Sequence, residues 1–367
     1  MFDPKLWRNF DYLLLLTVII ISLYGLVVIS SATSNFSADP WYYVQKQAIW
    51  IAAGLIGLFL VVCIDYSNFS RLSNYIYLIN LGLLVLVMFI GRETAGSQRW
   101  IDLRFFDLQP SEVAKLAIII TLAKLLEQRE GEMDNPKNLL LAFVHVAVPM
   151  YFIFKQPDLG TSLVFLAILF GMLFLGGAKI KHLLMTVIMG VGVGFPLLWL
   201  NLKPYQKMRL VIFLNPEQDP LHYGYQLIQS VIAIGSGRIW GKGLFEGTQN
   251  IYDFLPAQHT DFIFSVLGEE LGFVGAVALL CLYLFLIYRI LKVSSAAKDT
   301  FGLLLCVGVA SMLVFQVLVN VGMAISIMPV TGLPLPFMSY GGSSFLVNML
   351  SIGIVLNVGM RRHKIMF

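Results

Sequence analysis

Charge is scarce in this sequence. Of its 367 residues only 13% are Asp, Glu, Lys or Arg, 58% are hydrophobic, and mean hydropathy is +0.80. Soluble domains carry about 25% charged residues, so a soluble enzyme is excluded. Cysteine is nearly absent: Cys63, Cys281 and Cys306 each sit in a long apolar run, without pairing spacing or a Cys/His cluster. They mark neither a disulfide framework nor a zinc site and read as small core hydrophobes. An excess of one sign is lacking too, since 25 Lys plus Arg against 21 Asp plus Glu leave only +4. That is too little for a nucleic-acid partner and points to lipid. No HExxH or Asp-x-Asp occurs, and Gly241-Lys242 has neither the upstream glycine nor the following Ser or Thr of a P-loop. Nucleotide chemistry is therefore unsupported.

Long apolar runs fill the chain instead. A helix needs about 20 mostly apolar residues to cross the hydrocarbon core. Ten segments meet or approach that length: Tyr12 to Ser31, Ala48 to Ile64, Tyr75 to Ile90, Val113 to Leu126, Leu139 to Phe154, Leu159 to Gly176, Leu183 to Leu200, Phe262 to Tyr288, Phe301 to Met328 and Phe345 to Met360. The first is too long and too apolar throughout for a cleaved signal peptide. The expected fold is an all-α integral membrane protein, one polytopic domain over residues 1–367.

Ten spans place both termini on one side, which would hold fourteen of the 25 cations in short segments, among them Lys5, Arg71, Lys124, Arg129, Lys179, Lys181, Arg289, Arg361 and Lys364. The positive-inside rule makes that side cytoplasmic, although Arg92, Arg99 and Arg104 between Ile90 and Val113 run against the bias. The connection between spans seven and eight, residues 201–261, is a large extracytoplasmic loop about three times longer than its neighbours. Apolar runs within it, such as Leu227 to Ile234, predict short amphipathic or re-entrant helices rather than disorder.

A charge inside a bilayer costs at least a few kcal/mol, so polar residues near spans carry most of the functional information. Asp261 opens the eighth span and, on a continuous helix, heads a stripe of Ser265, Gly268, Gly272 and Gly275. Such a stripe either admits a neighbouring helix or leaves room for a lipid chain. Asp261 itself could equally be a helix cap, with Thr260 or His259 helping. Glu112 and Lys115, three apart, share a helix face and suit a membrane-edge ion pair. Asp158 follows Pro157 and is explained by capping at least as well as by chemistry. The run Pro329 to Asn348 cannot be one helix; its amides and Ser339, Ser343 and Ser344 could hold a polar headgroup or pyrophosphate, or merely form a turn. Gln316 and Asn320 suit interhelical hydrogen bonding.

Seven ordered stretches carry a family resemblance: GSQRWIDL (96–103), QPSEVAKLA (109–117), KQPDLGTSL (155–163), YQLIQSVIAIGSG (225–237), GKGL (241–244), PAQHTDFIFSVLGEELG (256–272) and PVTGLPLPFMSYGGSS (329–344). Over essentially its whole length the chain resembles the SEDS (shape, elongation, division and sporulation) family of bacterial membrane proteins. QHTDFIF and TGLPLPFMSYGGSS are more similar to the elongation members, the RodA proteins, than to the division members.

The resemblance implies a peptidoglycan glycosyltransferase of the bacterial cytoplasmic membrane. It would polymerise lipid II into undecaprenyl-pyrophosphate-linked glycan at the outer leaflet, beside a class B penicillin-binding protein transpeptidase in the elongation machinery. Asp261 matches the family's essential carboxylate, with Glu112, Lys115 and Asp158 as supporting positions. For that chemistry Asp261 would accept the acceptor hydroxyl's proton or help hold a divalent cation, magnesium or manganese. Lys115, Arg209, Arg238, Lys242 or that cation would neutralise the leaving pyrophosphate, and Ser343 would help bind substrate. A lipid flippase or a non-catalytic scaffold are the other classes the same pattern admits; near mid-membrane the ionisable residues a transport path needs are almost absent.

Overall fold

The computed structural model describes residues 7–34, 41–94, 97–103, 106–202, 204–220 and 224–362. Lys5, Gly96, Arg104 and Lys364, used above, lie outside them. Long apolar runs become helices because a backbone in lipid must satisfy its own hydrogen bonds. Three open the chain: α1 (Tyr12–Ala32), α2 (Tyr42–Cys63) and α3 (Ser67–Ile90). Next come α4 (Pro110–Glu127), α5 (Pro136–Lys155), α6 (Leu159–Leu175) and α7 (Ile180–Met189), which continues through a π-turn at Gly190–Gly194 into α8 (Phe195–Asn201). The long loop holds α9 (Pro204–Leu214), α10 (Tyr225–Gly237) and the short α11 (Thr248–Ile251). The last three spans are α12 (Ile263–Ser295), α13 (Thr300–Ala324) and α14 (Gly342–Met360).

Among the described residues seven helices, α1, α2, α3, α5, α12, α13 and α14, are long and apolar enough to cross a membrane. With α4, whose 18 residues include Glu112, Lys115, Lys124 and Glu127, the short α6, and α7 with α8, they reproduce the ten predicted segments in order. Helix starts follow capping chemistry: Asp11 accepts from Leu14 N at 3.0 Å, Asp299 from Gly302 N at 2.7 Å, and prolines open α4 and α5. The centre is α13 and α14, 72% and 83% buried over their apolar windows, against 22% for α2, α3 and α5, which face lipid.

Two features depart from a plain bundle of helices. The connection after α3 is an antiparallel sheet, β1 (Arg92–Thr94), β2 (Ser97–Asp102) and β3 (Asp107–Leu108), with Arg92 opposite Trp100 and Ile101 opposite Leu108. The eighth span is no continuous helix either, because Gly272 has φ 62° and ψ −161°. Beyond it Phe273 N and Val274 N donate to the carbonyls of Arg238 and Ile239, while Lys242 N and Gly243 N donate to those of Glu269 and Glu270. The turn segment 238–243 thus satisfies the backbone groups that the break exposes. A Cβ at Gly272 would lie 2.3 Å from Gly241 N. Gly272→Ala combines that overlap with a left-handed backbone and is expected to cost about 2–3 kcal/mol, read as a lower unfolding temperature in detergent.

The small-residue stripe is consequently occupied by protein. Ser265 Oγ lies 2.6 Å from Ser230 Oγ of α10, and a Cβ at Gly268 would lie 3.0 Å from the Ile234 side chain. The stripe admits a helix, not a lipid chain. In α5, Pro149 has no N–H for the His145 carbonyl one turn earlier. The Tyr77 hydroxyl of α3 donates to that carbonyl at 2.9 Å, and its ring stacks on His145 at 4.2 Å. Tyr77→Phe should destabilise the protein by about 1 kcal/mol, measurable by the same unfolding assay.

Candidate functional site

The two aspartates that sequence reasoning treated alike behave differently. Asp158 is the N-cap of α6: its carboxylate accepts from Thr161 N at 3.1 Å and Thr161 Oγ1 at 3.0 Å, with Ser111 Oγ and Gln109 Nε2 at 3.4 Å. Asp261 caps nothing. Helix α12 begins two residues later with no side-chain cap, and among the described residues no hydrogen bond reaches the Asp261 carboxylate. It lies within electrostatic reach of Arg209 and Asp158 and against the backbone at Gly332, where a Cβ would sit 3.4 Å from Oδ2. Gly332 has φ 71°, a conformation suited to glycine, so the chain passes the carboxylate without a side chain.

The turn bearing Asp261 is held by its carbonyls. Tyr340 N donates to His259 O at 3.0 Å, Ser339 Oγ to Thr260 O at 2.6 Å, and Asn320 Nδ2 to Asp261 O at 2.8 Å. Asn320 also donates to Leu333 O at 2.8 Å. The Pro- and Gly-rich run after α13 is therefore the clamp on the Asp261 turn. The His259 ring packs against Tyr43 and Tyr340 with centroids 5.0 and 5.7 Å away. Burial holds its imidazole below the usual range, opposed by Asp253.

Half-buried Asp261 is pushed up from 3.8 to about 6, chiefly by loss of water, with Arg209 pulling down and Asp158 pushing up. A carboxyl with that value accepts a proton near neutral pH better than an ordinary aspartate does.

Of the cations considered for a departing pyrophosphate, only Arg209 is brought to Asp261. Lys115 is buried and bound to Glu112 at 2.8 Å, the expected ion pair, so its charge is already matched. Lys242 Nζ lies 2.6 Å from Glu269 Oε1 and donates to Thr248 Oγ1 at 2.8 Å. Arg238 is exposed at the end of α10. Ser343 is taken as well: its Oγ donates to Asp107 O at 2.7 Å and accepts from Gln109 N at 3.2 Å, tying β3 to α14.

Three further residues had no role in the sequence reading. Arg99 donates to the carbonyls of Gln156 and Pro157 at 2.8 and 2.5 Å and so steadies the turn before Asp158. Glu269 and Glu270 are buried, the first on Lys242, the second accepting from Ser31 Oγ at 2.5 Å and Asn250 Nδ2 at 3.1 Å. Two adjacent carboxylates inside a predicted span were the available signal.

An apolar cavity of about 480 Å³ lies between α5, α6, α9 and the segment 329–331. Met150, Phe154, Leu163, Leu166 and Leu210 line it, and Arg99 and Arg209 also contribute to its wall. Arg209 belongs both to this chamber and to the surroundings of Asp261. The arrangement suits an anionic headgroup whose apolar tail lies in the chamber.

Among the described residues no group of three His, Cys, Asp or Glu side chains is arranged around a metal. With Asp158 engaged by four donors, Asp261 is the one of these two aspartates with open bonding capacity. That fits a cation sharing its coordination with substrate phosphate, the usual mode for magnesium.

Known proteins agree with this architecture. The chain is 40% identical over 356 residues to the peptidoglycan glycosyltransferase MrdB of Escherichia coli (strain K12), covering 96% of this chain and 94% of that one. It is 37% identical over 362 residues to the probable peptidoglycan glycosyltransferase FtsW of Trichlorobacter lovleyi, covering 97% and 94%. A chain solved in a study of polymerization and crosslinking by a peptidoglycan synthase complex superposes with a TM-score of 0.83 at 35% identity, covering 97% of this chain and 99% of that chain. The family model of FtsW, RodA and SpoVE, described as cell cycle protein, matches residues 11–364, and the chain belongs to that family.

Proposed function

We propose that this chain, as a peptidoglycan glycosyltransferase, polymerises lipid II at the outer face of the bacterial cytoplasmic membrane during cell elongation, with both termini in the cytoplasm. The observation that carries it is the Asp261 carboxylate, uncapped, raised to about 6 and within electrostatic reach of Arg209, which lines an apolar chamber. An acceptor sugar hydroxyl placed there would give its proton to Asp261 while its oxygen attacks the anomeric carbon of the lipid-linked strand. The bond from that carbon to the phosphate oxygen breaks, and its electron pair leaves with undecaprenyl pyrophosphate. Attack from the face opposite the leaving group inverts the centre. Arg209 would neutralise the growing charge on the pyrophosphate. A divalent cation, magnesium or manganese, held by Asp261 and substrate phosphate, would supply the same neutralisation. The elongation role is supported by the QHTDFIF and TGLPLPFMSYGGSS stretches and by the 40% identity to MrdB. The likeness to a chain from a synthase complex supports a class B penicillin-binding protein as partner.

The test is strand synthesis from fluorescent lipid II by the purified protein with its class B partner, wild type against Asp261→Ala at equal expression. Polymer from wild type alone is expected. Polymer from neither, with lipid II crossing vesicles, would favour a transporter. Equal polymer from both would remove Asp261 from the reaction. Loss of the elongation phenotype on depletion, with division intact, is the expected cellular result.

A further inference from the structure

At the end of α4 remote from Asp261, about 20 Å along the helix from Ser111 at 1.5 Å per residue, lies a second cavity of about 480 Å³. It sits between α3, α4 and α5, and its wall mixes polar and apolar groups where the first is almost wholly apolar. Lys124, Gln128 and Arg129 come from the end of α4, Ser73 and Asn74 from α3. Its size falls within the roughly 300–1,000 Å³ of small-molecule sites.

The cations in this wall are only partly committed. Lys124 Nζ is 2.9 Å from Glu127 Oε2, with the two side chains 29% and 28% exposed. Arg129 makes one long bond, 3.4 Å, to the Leu125 carbonyl on its own helix. Among the described residues, Glu127 is the one carboxylate within ion-pair distance of either of these two cations. The other side of the wall is rigid: Tyr77 and His145 are stacked, and His145 Nε2 lies 2.9 Å from Thr121 Oγ1. The rim is lipid-facing. Tyr75, Leu78 and Ile79 of α3 are 66%, 64% and 63% exposed, and Leu78 with Leu125 forms part of the lining. Cations and amide and hydroxyl groups beside an exposed apolar strip match a molecule with an anionic head and an acyl tail. Basic pockets between spans are where anionic lipid headgroups bind.

We propose that this cavity binds the phosphodiester headgroup of an anionic phospholipid from the leaflet opposite Asp261. Lys124 and Arg129 take the phosphate, Ser73, Asn74 and Gln128 take the headgroup hydroxyls, and an acyl chain follows Leu78.

Native mass spectrometry of the full-length protein with phosphatidylglycerol or phosphatidylcholine at equal ratio tests this. Preferential retention of phosphatidylglycerol is expected, falling about fivefold for each cation removed and about 25-fold in Lys124→Gln/Arg129→Gln, at roughly 1 kcal/mol per charge. Glu127→Gln, which frees Lys124, should raise retention, and Asn74→Asp at the exposed rim should lower it. These two variants keep the test decisive if the double variant unfolds. Equal retention of both lipids by wild type, or a preference unchanged in all variants, overturns the proposal. Displacement of the lipid by excess inorganic phosphate alone would assign the site to a free anion and overturn the lipid source.

Discussion

Asp261→Asn is expected to lower strand synthesis by about 10²–10⁴-fold, the range for removing a general base, while leaving the folded protein at least as stable. The two effects have opposite sign for one reason. Loss of water raises the Asp261 carboxyl from 3.8 to about 6, so holding it ionised in the native state is unfavourable. Its contribution to stability is fully present below about pH 4 and is lost as pH rises through about 6. Asparagine carries no such penalty at pH 7. Catalysis runs the other way, since a base must be deprotonated, and wild-type activity should climb between pH 5 and 7 with a midpoint near 6. A pH–rate profile alongside pH-dependent unfolding checks both. A flat profile, or a variant less stable than wild type at pH 7, would contradict the role assigned to this carboxyl. If Asp261 instead acts through a divalent cation, the residual rate of Asp261→Asn should no longer respond to magnesium or manganese.

Lys115→Met should be the most destabilising of the substitutions considered, by about 3–5 kcal/mol, because it leaves a buried carboxylate without its counter-charge. Lys115 and Glu112 are 0% and 2% exposed and 2.8 Å apart, so water cannot take over the lost partner. The double change Glu112→Gln/Lys115→Met removes both charges and should recover most of the loss. Unfolding temperatures of the single and double variants in the same detergent measure this. A single variant within about 1 kcal/mol of wild type would mean that the site is wetter than its packing indicates. The pair also commits the Lys115 charge to Glu112.

How much of this was legible in the sequence depended on the range of the interaction. Spans were legible because hydrophobicity along one helix is a local property, and all ten segments occur where the runs predict them. The Glu112–Lys115 pair was legible for the same reason, being three residues apart on one helix. Asp158 and Asp261 were not separable, since both precede a helix and both suit a cap. Only the donors around Asp158, two of them from the start of α4, and their absence around Asp261 divide the roles. Lys242 with Glu269, and Ser343 with Asp107, are encounters between distant segments, which composition and periodicity do not encode. The sheet at residues 92–108 escaped notice because its short strands alternate weakly and contain arginines. Gly272 escaped because a single glycine within an apolar run is compatible with a helix.

The three carbonyls of residues 259–261 are anchored to α13 and to the chain beyond it, not to the helix that Asp261 precedes. The carboxylate therefore moves as part of the 320–340 region. A transpeptidase or lipid that displaced this connection by even a fraction of an ångström would re-aim the proton acceptor without touching it. Activation from a distance would then need no rearrangement of the spans, only a shift of the bracket on which the Asp261 side chain is mounted.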